Sequence, residues 1–213
     1  MVQEFNAIKF DNCAEIVEKK SRFIANLIYV SSEEDAINKI KDIKKKYHDA
    51  RHNCFAYRVL SKDGVIQRSS DDGEPSGTAG APMLTILEKN NIVNVLLVVT
   101  RYFGGILLGT GGLVKAYTES SLKALNENEL EEKELGYEVL FNVPYSEIKR
   151  IEYFLKTNNI LITRKDYVED VMILTELSQE KYKNIEAEFP KNVNENIKYE
   201  IKQEKIISKN TRK

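Results

Sequence analysis

The sequence has few cysteines and no long apolar run. The two cysteines in 213 residues, Cys13 and Cys54, do not form a Cys-x-x-Cys motif, and two thiols alone cannot complete a zinc site. We therefore interpret them as free thiols in a reducing compartment. No run approaches the ~18 apolar residues of a membrane helix, and the N-terminus does not resemble a secretion signal. These absences predict a soluble, cytoplasmic protein with no membrane partner.

The chain also lacks a strong excess of either charge. Its 32 basic and 33 acidic residues give a formal net charge of -1. This total excludes the strongly basic composition of many nucleic-acid-binding proteins, but it is compatible with a local basic patch. Charge alone leaves the partner class open.

Motifs of the common nucleotide enzymes and nucleophilic hydrolases are missing as well. In the glycine-rich stretch, Gly109 is followed by Thr110 where a P-loop needs lysine. A Rossmann fingerprint fails because Val114 stands where a third glycine is needed after Gly111. No Gly-x-Ser-x-Gly elbow occurs either. We predict no catalytic residue and no cofactor.

An apolar segment followed by glycines is the most informative feature that is present. Residues Ile92–Val99 are almost all aliphatic, which predicts a strand buried on both faces. Gly104–Gly112 contains five glycines and precedes a helical pattern over Leu113–Leu125. Because a helix N-terminus favours anions, this arrangement predicts a binding loop. Lys115 would lie in the first helical turn, where a cation is unfavourable unless an anionic ligand is near.

A second glycine-containing loop is predicted over Ser69–Pro82, which is rich in turn-forming residues and precedes a short helix. Its carboxylates, Asp71, Asp72 and Glu74, allow two interpretations. They could hold a divalent cation or act as acid and base, since hard cations take carboxylate oxygens. Acidic residues beside glycine and proline also serve turns and helix caps. We favour the second interpretation and predict no metal site.

An amphipathic helix and two hairpins are predicted before this loop. The first joins Glu15–Glu18 to Arg22–Val30 and is either a hairpin or a bent ribbon. A capping box from Ser31 to Glu34 starts the helix, which continues to about Tyr47. We interpret its lysine-rich outer face as solvated rather than as a nucleic-acid surface.

Beyond that helix, His48 and His52 are four residues apart, but the chain between them reads as the approach to a strand. We therefore expect these histidines to straddle a loop and not to bind a metal. Alternating residues over Cys54–Leu60, a turn at Ser61–Gly64 and a return strand form the second hairpin.

The glycine distribution suggests two domains. All ten glycines lie at or before Gly136, and the polar segment 126–136 suggests a boundary. We predict domains over residues 1–132 and 137–213. In the second, apolar periodicity predicts the order βαββαβ, a ferredoxin-like arrangement, with Ser178 capping its second helix. The fold class is therefore α+β.

Four segments together resemble the IMPACT family. They are Ser21–Phe23, His52–Arg58, Asp71–Gly80 and Val98–Gly109. The resemblance implies a first domain like the second domain of ribosomal protein S5, and a second domain like a C-terminal domain of elongation factor G. It also implies a link to translation. Eukaryotic members regulate translation during amino-acid starvation, partly through an additional N-terminal domain that we expect this chain not to contain.

The first functional hypothesis is a non-enzymatic RNA- or ribosome-binding protein, with a translation-related protein as a further possible partner. Cations would contact phosphates, and aromatic residues such as Tyr57 and Tyr102 would stack on bases. The candidate binding residues for nucleic acid or another anion are Arg51, His52, Arg58, Arg101, Tyr102, Gly104, Gly105, Gly109, Gly111, Gly112 and Lys115.

The second hypothesis is an enzyme or small-ligand protein. A phosphate-containing or other anionic ligand would lie at the two glycine-rich loops, with Asp71, Asp72 and Glu74 supplying a metal site or base. An S5-like fold also occurs in small-molecule kinases with a glycine loop before a helix, which is an analogy of fold alone.

Overall fold

The computed structural model describes residues 4–190 and 196–209 of the chain, which divides into two compact units. The first unit ends at Glu132 and the second begins at Lys133. No helix within the described ranges is long and apolar enough to cross a membrane. The elements up to residue 126 are β1 (Glu4–Ile8), β2 (Asn12–Glu18), β3 (Ser21–Tyr29), α1 (Glu33–Lys46), β4 (His52–Ser61), β5 (Gly64–Ser70), α2 (Gly80–Lys89), β6 (Val95–Tyr102) and α3 (Gly109–Asn126).

The remaining elements begin with a strand that starts in the polar segment 126–136. They are β7 (Leu130–Val143), α4 (Ile148–Thr157), β8 (Leu161–Tyr167), β9 (Val171–Ser178), α5 (Gln179–Glu188) and β10 (Lys198–Ser208), with one 3-10 turn, Tyr145–Glu147, before α4.

Five strands of the first unit form a sheet in the order β2-β3-β6-β4-β5, and every neighbouring pair is antiparallel. The residues of the central strand, β6, alternate between two hydrophobic cores. Leu97 and Val99 pack with residues of α2 and α3, whereas Leu96 and Val98 pack with residues of α1. The prediction of a strand buried on both faces is confirmed, because helices cover both faces of the sheet.

Both predicted hairpins are present. The turn between β2 and β3 consists of Lys19 and Lys20, whose φ angles are 45° and 65°. Two consecutive left-handed residues form the tight turn whose twist matches that of the flanking strands. In the second hairpin Ser61 pairs with Gly64, which has a φ of 126°.

The predicted start of α1 is wrong by one residue. Ser32, and not Ser31, is the N-cap, and its hydroxyl accepts a hydrogen bond from the Asp35 backbone N–H at 3.0 Å. The Asp35 carboxylate in turn accepts from the Ser31 N–H at 2.9 Å. Ser31 and Ser32 are both suitable caps, so residue type alone could not decide between them.

The predicted start of α3 is also wrong. The helix begins at Gly109, which has a φ of 71°, and not at Leu113. Gly109, Gly111 and Gly112 therefore belong to the helix and not to a loop. Lys115 therefore lies in the second turn and not in the first, so the helix dipole does not disfavour its charge. Its Nζ lies 3.7 Å from Glu119 Oε1. The argument for an anionic ligand beside Lys115 is thereby lost.

Sheet topology brings the two glycine-containing loops to one edge. β5 and β6 both pair antiparallel with β4, so they run parallel to each other. Each is followed by a loop and then a helix, so α2 and α3 begin at the same edge. β3 and β4 also begin at this edge, because both are antiparallel to β6.

The second unit has the element order βαββαβ and one antiparallel sheet with its strands in the order β10-β7-β9-β8. The predicted cap of α5 is present, since Ser178 Oγ accepts from the Lys181 N–H at 3.2 Å. The sequence predicts that Ile197, Tyr199 and Ile201 alternate toward the core, but only the first two are buried and Ile201 is 40% exposed. The pairing register of β10 shifts between Ile201 and Gln203, so the expected alternation is interrupted there.

Candidate functional site

Two loops lie at the edge of the first sheet, and a buried ion pair ties one of them to the strand that precedes the other. We call Asp71–Ala79 the acidic loop and Phe103–Leu108 the apolar loop. Arg101, near the end of β6, donates from Nη1 to Glu74 Oε1 at 2.7 Å, and the two side chains are only 7% and 4% exposed. The Tyr117 hydroxyl of α3 donates to the same carboxylate oxygen at 2.9 Å. The acidic loop is thus tied to both β6 and α3.

The Arg101 guanidinium also lies between two aromatic rings. Its Cζ is 5.5 Å from the ring centroid of Phe23 and 5.5 Å from that of Phe103. Phe23 is fully buried, whereas Phe103 is 51% exposed. Nε of Arg101 is buried without a hydrogen-bond partner in the described parts of the chain. This arrangement excludes Arg101 from direct contact with a phosphate unless the ion pair breaks.

The thiol of Cys54 is buried beside this ion pair. Cys54 Sγ lies 3.0 Å from the Asp71 carbonyl oxygen and 3.3 Å from the Tyr117 hydroxyl, and its single S–H can donate to only one of them at a time. Burial raises the pKa of Cys54 to about 12. Burial, and then the contact with Cys54, raises the pKa of Tyr117. Both groups therefore stay protonated at neutral pH, and a thiolate is the reactive form.

Asp71 acts as a helix cap. Its carboxylate accepts backbone N–H groups of Gly77, Ala79 and Gly80 at 2.8, 2.9 and 2.9 Å. Burial tends to raise the pKa of Asp71, but these three hydrogen bonds outweigh it and hold the pKa below its usual range. The carboxylate thereby takes the anion position at the start of α2.

Asp72 is engaged as well. Its carboxylate accepts from the Asn53 N–H at 2.7 Å and from Lys44 Nζ at 2.6 Å. Within residues 4–190 and 196–209, no group of three His, Cys, Asp or Glu side chains is arranged to hold a metal ion. The contacts of Asp71, Asp72 and Glu74 favour the interpretation of this segment as turn and cap.

Arg58 does not join the other candidate residues. It lies six residues after His52 on β4, about 20 Å farther along the strand. Its guanidinium donates to Gln67 Oε1 at 3.2 Å, and to the carbonyl oxygens of Leu87 and Ile92 at 3.3 and 3.0 Å. Burial lowers the pKa of Arg58. The structure therefore places Arg58 away from the two glycine-containing loops, where it holds the C-terminal end of α2.

Three other candidate residues do lie at the loop edge. Arg51 is exposed and directly precedes β4. His52 is half-buried, and its Nδ1 lies 2.9 Å from the Asp72 carbonyl oxygen. Tyr102 is half-buried, and its hydroxyl donates to Asp49 Oδ1 at 2.7 Å. In contrast, Tyr57 is 3% exposed, so it is not available to stack on a base.

The glycines in and after the apolar loop differ in whether a side chain would fit at their positions. A Cβ on Gly104 would lie 2.0 Å from the carbonyl carbon of Lys20, and the Gly104 N–H donates to Ser21 Oγ at 3.1 Å. Gly105 has a φ of 84°, which favours glycine. A Cβ on Gly111, in α3, would meet nothing within 4 Å.

Sequence reasoning missed the apolar side chains that this loop exposes. Phe103, Ile106 and Leu107 are 51%, 42% and 84% exposed. A signal was present, since three aliphatic residues between glycines are too few to form an element that buries them. The turn residues Lys19 and Lys20 were also missed, and the backbone of Lys20 lies directly against Gly104.

The chain consists of two units of mixed α and β structure with antiparallel sheets, and the first has two glycine-containing loops at one sheet edge, one of them tied to β6 by a buried ion pair. The family model described as Impact N-terminal domain matches residues 19–125, a range that includes both loops. The chain belongs to the IMPACT family, and the resemblance found in its motifs is confirmed.

Two curated relatives cover most of the chain. The IMPACT family member YvyE of Bacillus subtilis (strain 168) is 40% identical over 181 residues. The alignment covers 85% of this chain and 83% of the YvyE chain. The IMPACT family member YigZ of Escherichia coli (strain K12) is 38% identical over 170 residues, covering 79% of this chain and 83% of its own. A crystal structure described as that of a hypothetical protein is 32% identical, with a TM-score of 0.63, covering 93% of this chain and 97% of its own.

Proposed function

We propose that this protein is a non-enzymatic, cytoplasmic RNA- or ribosome-binding protein with a role in the regulation of translation. Membership of the IMPACT family supports the link to translation that the resemblance implies. The proposal includes the S5-like assignment of a domain over residues 1–132 and the elongation-factor-G-like assignment of a domain over 137–213. The proposal extends to a translation-related protein as a second partner.

One observation carries the proposal, namely a row of cationic and aromatic residues across the strand ends. Arg22 of β3 pairs in register with Tyr102 of β6, and His52 of β4 pairs with Arg101. Arg51 therefore lies beside Tyr102 on its other side. The Arg22 guanidinium lies 5.6 Å from the Tyr102 ring centroid. Cations beside an aromatic ring are suited to a nucleic-acid backbone and its bases.

More cations surround this row. The C-terminal end of α1 reaches the same edge, as the contact of Lys44 with Asp72 indicates. The carboxylates of Glu15, Asp42, Asp49 and Asp72 offset part of this charge. We call the combined surface the basic edge, and its exposed cations are Lys19, Lys20, Arg22, Lys44, Lys45, Lys46 and Arg51. The basic edge includes lysines of α1, whose outer face we interpreted from the sequence as solvated and not as a binding surface.

Charge reversal at the basic edge tests the proposal. The variant Lys45→Glu with Arg51→Glu should weaken binding to purified ribosomal RNA. It should also lower the slope of log affinity against log salt by about 1–2, because each lost phosphate contact contributes about 0.7–0.9. The control variant, Lys62→Glu with Lys89→Glu, makes the same charge change at the opposite edge of the first unit. Equal effects of the two variants, or no RNA binding by the unaltered protein, would contradict the proposal.

The alternative function, binding of a phosphate-containing or other small anion at the two loops, has less support. Asp71 already occupies the N–H groups at the start of α2, and Glu74 neutralises Arg101. Thermal-shift measurements with phosphate, nucleotides and divalent ions test it. A ligand at 100 times its dissociation constant should stabilise the protein by about 2.7 kcal/mol.

A further inference from the structure

Phe103 is placed so that part of its ring remains available to a ligand. Arg101 lies against the ring at 5.5 Å from its centroid, yet the side chain remains 51% exposed. Arg101 is itself fixed by Glu74, so the ring contacts a buried and paired cation. Gly104 directly follows, and its packing on Lys20 fixes the backbone at this point. The ring is therefore a supported surface group, whereas most exposed side chains move freely.

The surroundings of Phe103 combine apolar surface with positive charge. Ile106 and Leu107 extend the apolar surface of the loop. Lys19 and Lys20 are exposed in the adjacent turn, and neither forms an ion pair within the described ranges. An apolar ring with unpaired cations beside it matches a ligand with flat apolar faces and a regularly charged backbone.

We propose that Phe103 stacks on an unpaired base of single-stranded RNA, and that Arg101 and Glu74 act as positioning residues for its ring. The inference rests on the proposed function and specifies its ligand. In a duplex the base faces are stacked on one another and closed to a side chain, whereas unpaired bases are open to aromatic residues. Lys19 and Lys20 contact the phosphates on either side of the stacked base.

Substitutions of Phe103 test the stacking directly. Binding of a fluorescent oligouridylate, and of its duplex with oligoadenylate, is measured by anisotropy. Phe103→Ala should weaken single-strand binding about tenfold or more, since stacking on one base is worth at least that much in many complexes. Duplex binding should change less than about twofold. Phe103→Trp should retain single-strand affinity and Phe103→Leu should lose it. The control Phe10→Ala, which removes another ring that is 47% exposed in the same unit, should bind as the unaltered protein does.

The positioning role has its own readout. The chain contains no tryptophan, so Phe103→Trp introduces a single indole whose fluorescence should be quenched by the single strand and not by the duplex. Adding Glu74→Gln to this variant should shift the quenching titration to higher RNA concentration. Glu74→Gln should cause no further loss of affinity in Phe103→Ala, because both substitutions remove the same contact. If Glu74→Gln does not fold, the Phe103 variants decide the stacking, and Tyr117→Phe, which removes a hydrogen bond to Glu74, replaces Glu74→Gln in the test of positioning.

The results separate failure of the inference from failure of the proposed function. If the unaltered protein binds neither RNA, both are overturned. If it binds RNA but Phe103→Ala changes nothing, or if Phe103→Leu binds as well as Phe103→Trp, stacking is overturned alone. The exposed apolar loop would then be assigned to a protein partner. Additive losses from Glu74→Gln and Phe103→Ala would overturn the positioning role.

Discussion

The two glycine-containing loops lie at the same sheet edge, but one holds its side chains within the fold and the other exposes them. In the acidic loop, each carboxylate is held by hydrogen bonds, and Glu74 is buried. In the apolar loop, Phe103, Ile106 and Leu107 are exposed. Glycine content made both loops candidate binding sites. The difference indicates that the paired polar groups of the acidic loop stabilise the fold. The exposed side chains of the apolar loop have no such role and are available to a ligand.

The largest loss of stability is expected from breaking the ion pair between Glu74 of the acidic loop and Arg101 of β6. Arg101→Met should lower the free energy of unfolding by about 3–5 kcal/mol, because it leaves the Glu74 carboxylate buried without its cation. Urea denaturation followed by circular dichroism measures this. The matched control is Arg22→Met, which breaks an exposed pair with Glu15 at 2.9 Å and should cost at most about 1 kcal/mol. Equal losses in the two variants would contradict the structural role of the buried pair.

The next effect concerns the anchor of the apolar loop. Gly104→Ala should cost about 3 kcal/mol, since its Cβ would lie 2.0 Å from a backbone atom that cannot rotate away. Gly111→Ala, in α3, meets no neighbour and should stabilise the protein by up to about 1 kcal/mol through helix propensity. The same denaturation experiment compares them. A tolerated alanine at residue 104 would mean that this loop is not fixed where it leaves β6.

A smaller effect is expected at the cap of α2. Asp71→Asn should cost about 2 kcal/mol at neutral pH, because three hydrogen bonds lose their charged acceptor. The lowered pKa of Asp71 in the folded protein makes this contribution fully present above the unfolded pKa of about 3.9. It is lost as the pH falls through the folded pKa.

A pH series of denaturation curves measures the difference between Asp71→Asn and the unaltered protein. This difference should shrink on acidification through the folded pKa of Asp71. Asp63→Asn, in the exposed turn between β4 and β5, should change stability by less than about 0.5 kcal/mol at each pH. A difference that stays constant with pH would argue against the cap.

The smallest effect is expected at the tip of the apolar loop. Leu107→Ser should alter the free energy of unfolding by less than about 0.5 kcal/mol, since this side chain is 84% exposed. Ala116→Ser, at a fully buried position of α3, is the matched comparison and should cost more because it places a hydroxyl in the core. A large loss from Leu107→Ser would show that the loop packs within the fold.

Local sequence signals were sufficient for much of the fold and for little of the site. The apolar run predicted β6, and the spacing of buried residues predicted α1 and the elements of the second unit. The burial of Arg101 could not be predicted, because its partner Glu74 lies 27 residues away in a segment without periodicity. The start of α3 was missed since glycine disfavours helices. Arg51 and Tyr102 were candidates by residue type alone, and their position at the loop edge follows from the pairing of β4 with β6.

In the turn between β2 and β3, the residues best for stability differ from the residues best for binding RNA. Lys19 and Lys20 occupy left-handed conformations that asparagine and glycine adopt more readily. The variant Lys19→Asn with Lys20→Gly should therefore stabilise the hairpin by about 1 kcal/mol, while RNA affinity falls because two cations beside Phe103 are gone. Selection for thermal stability alone would thus replace the two lysines that we assign to RNA binding.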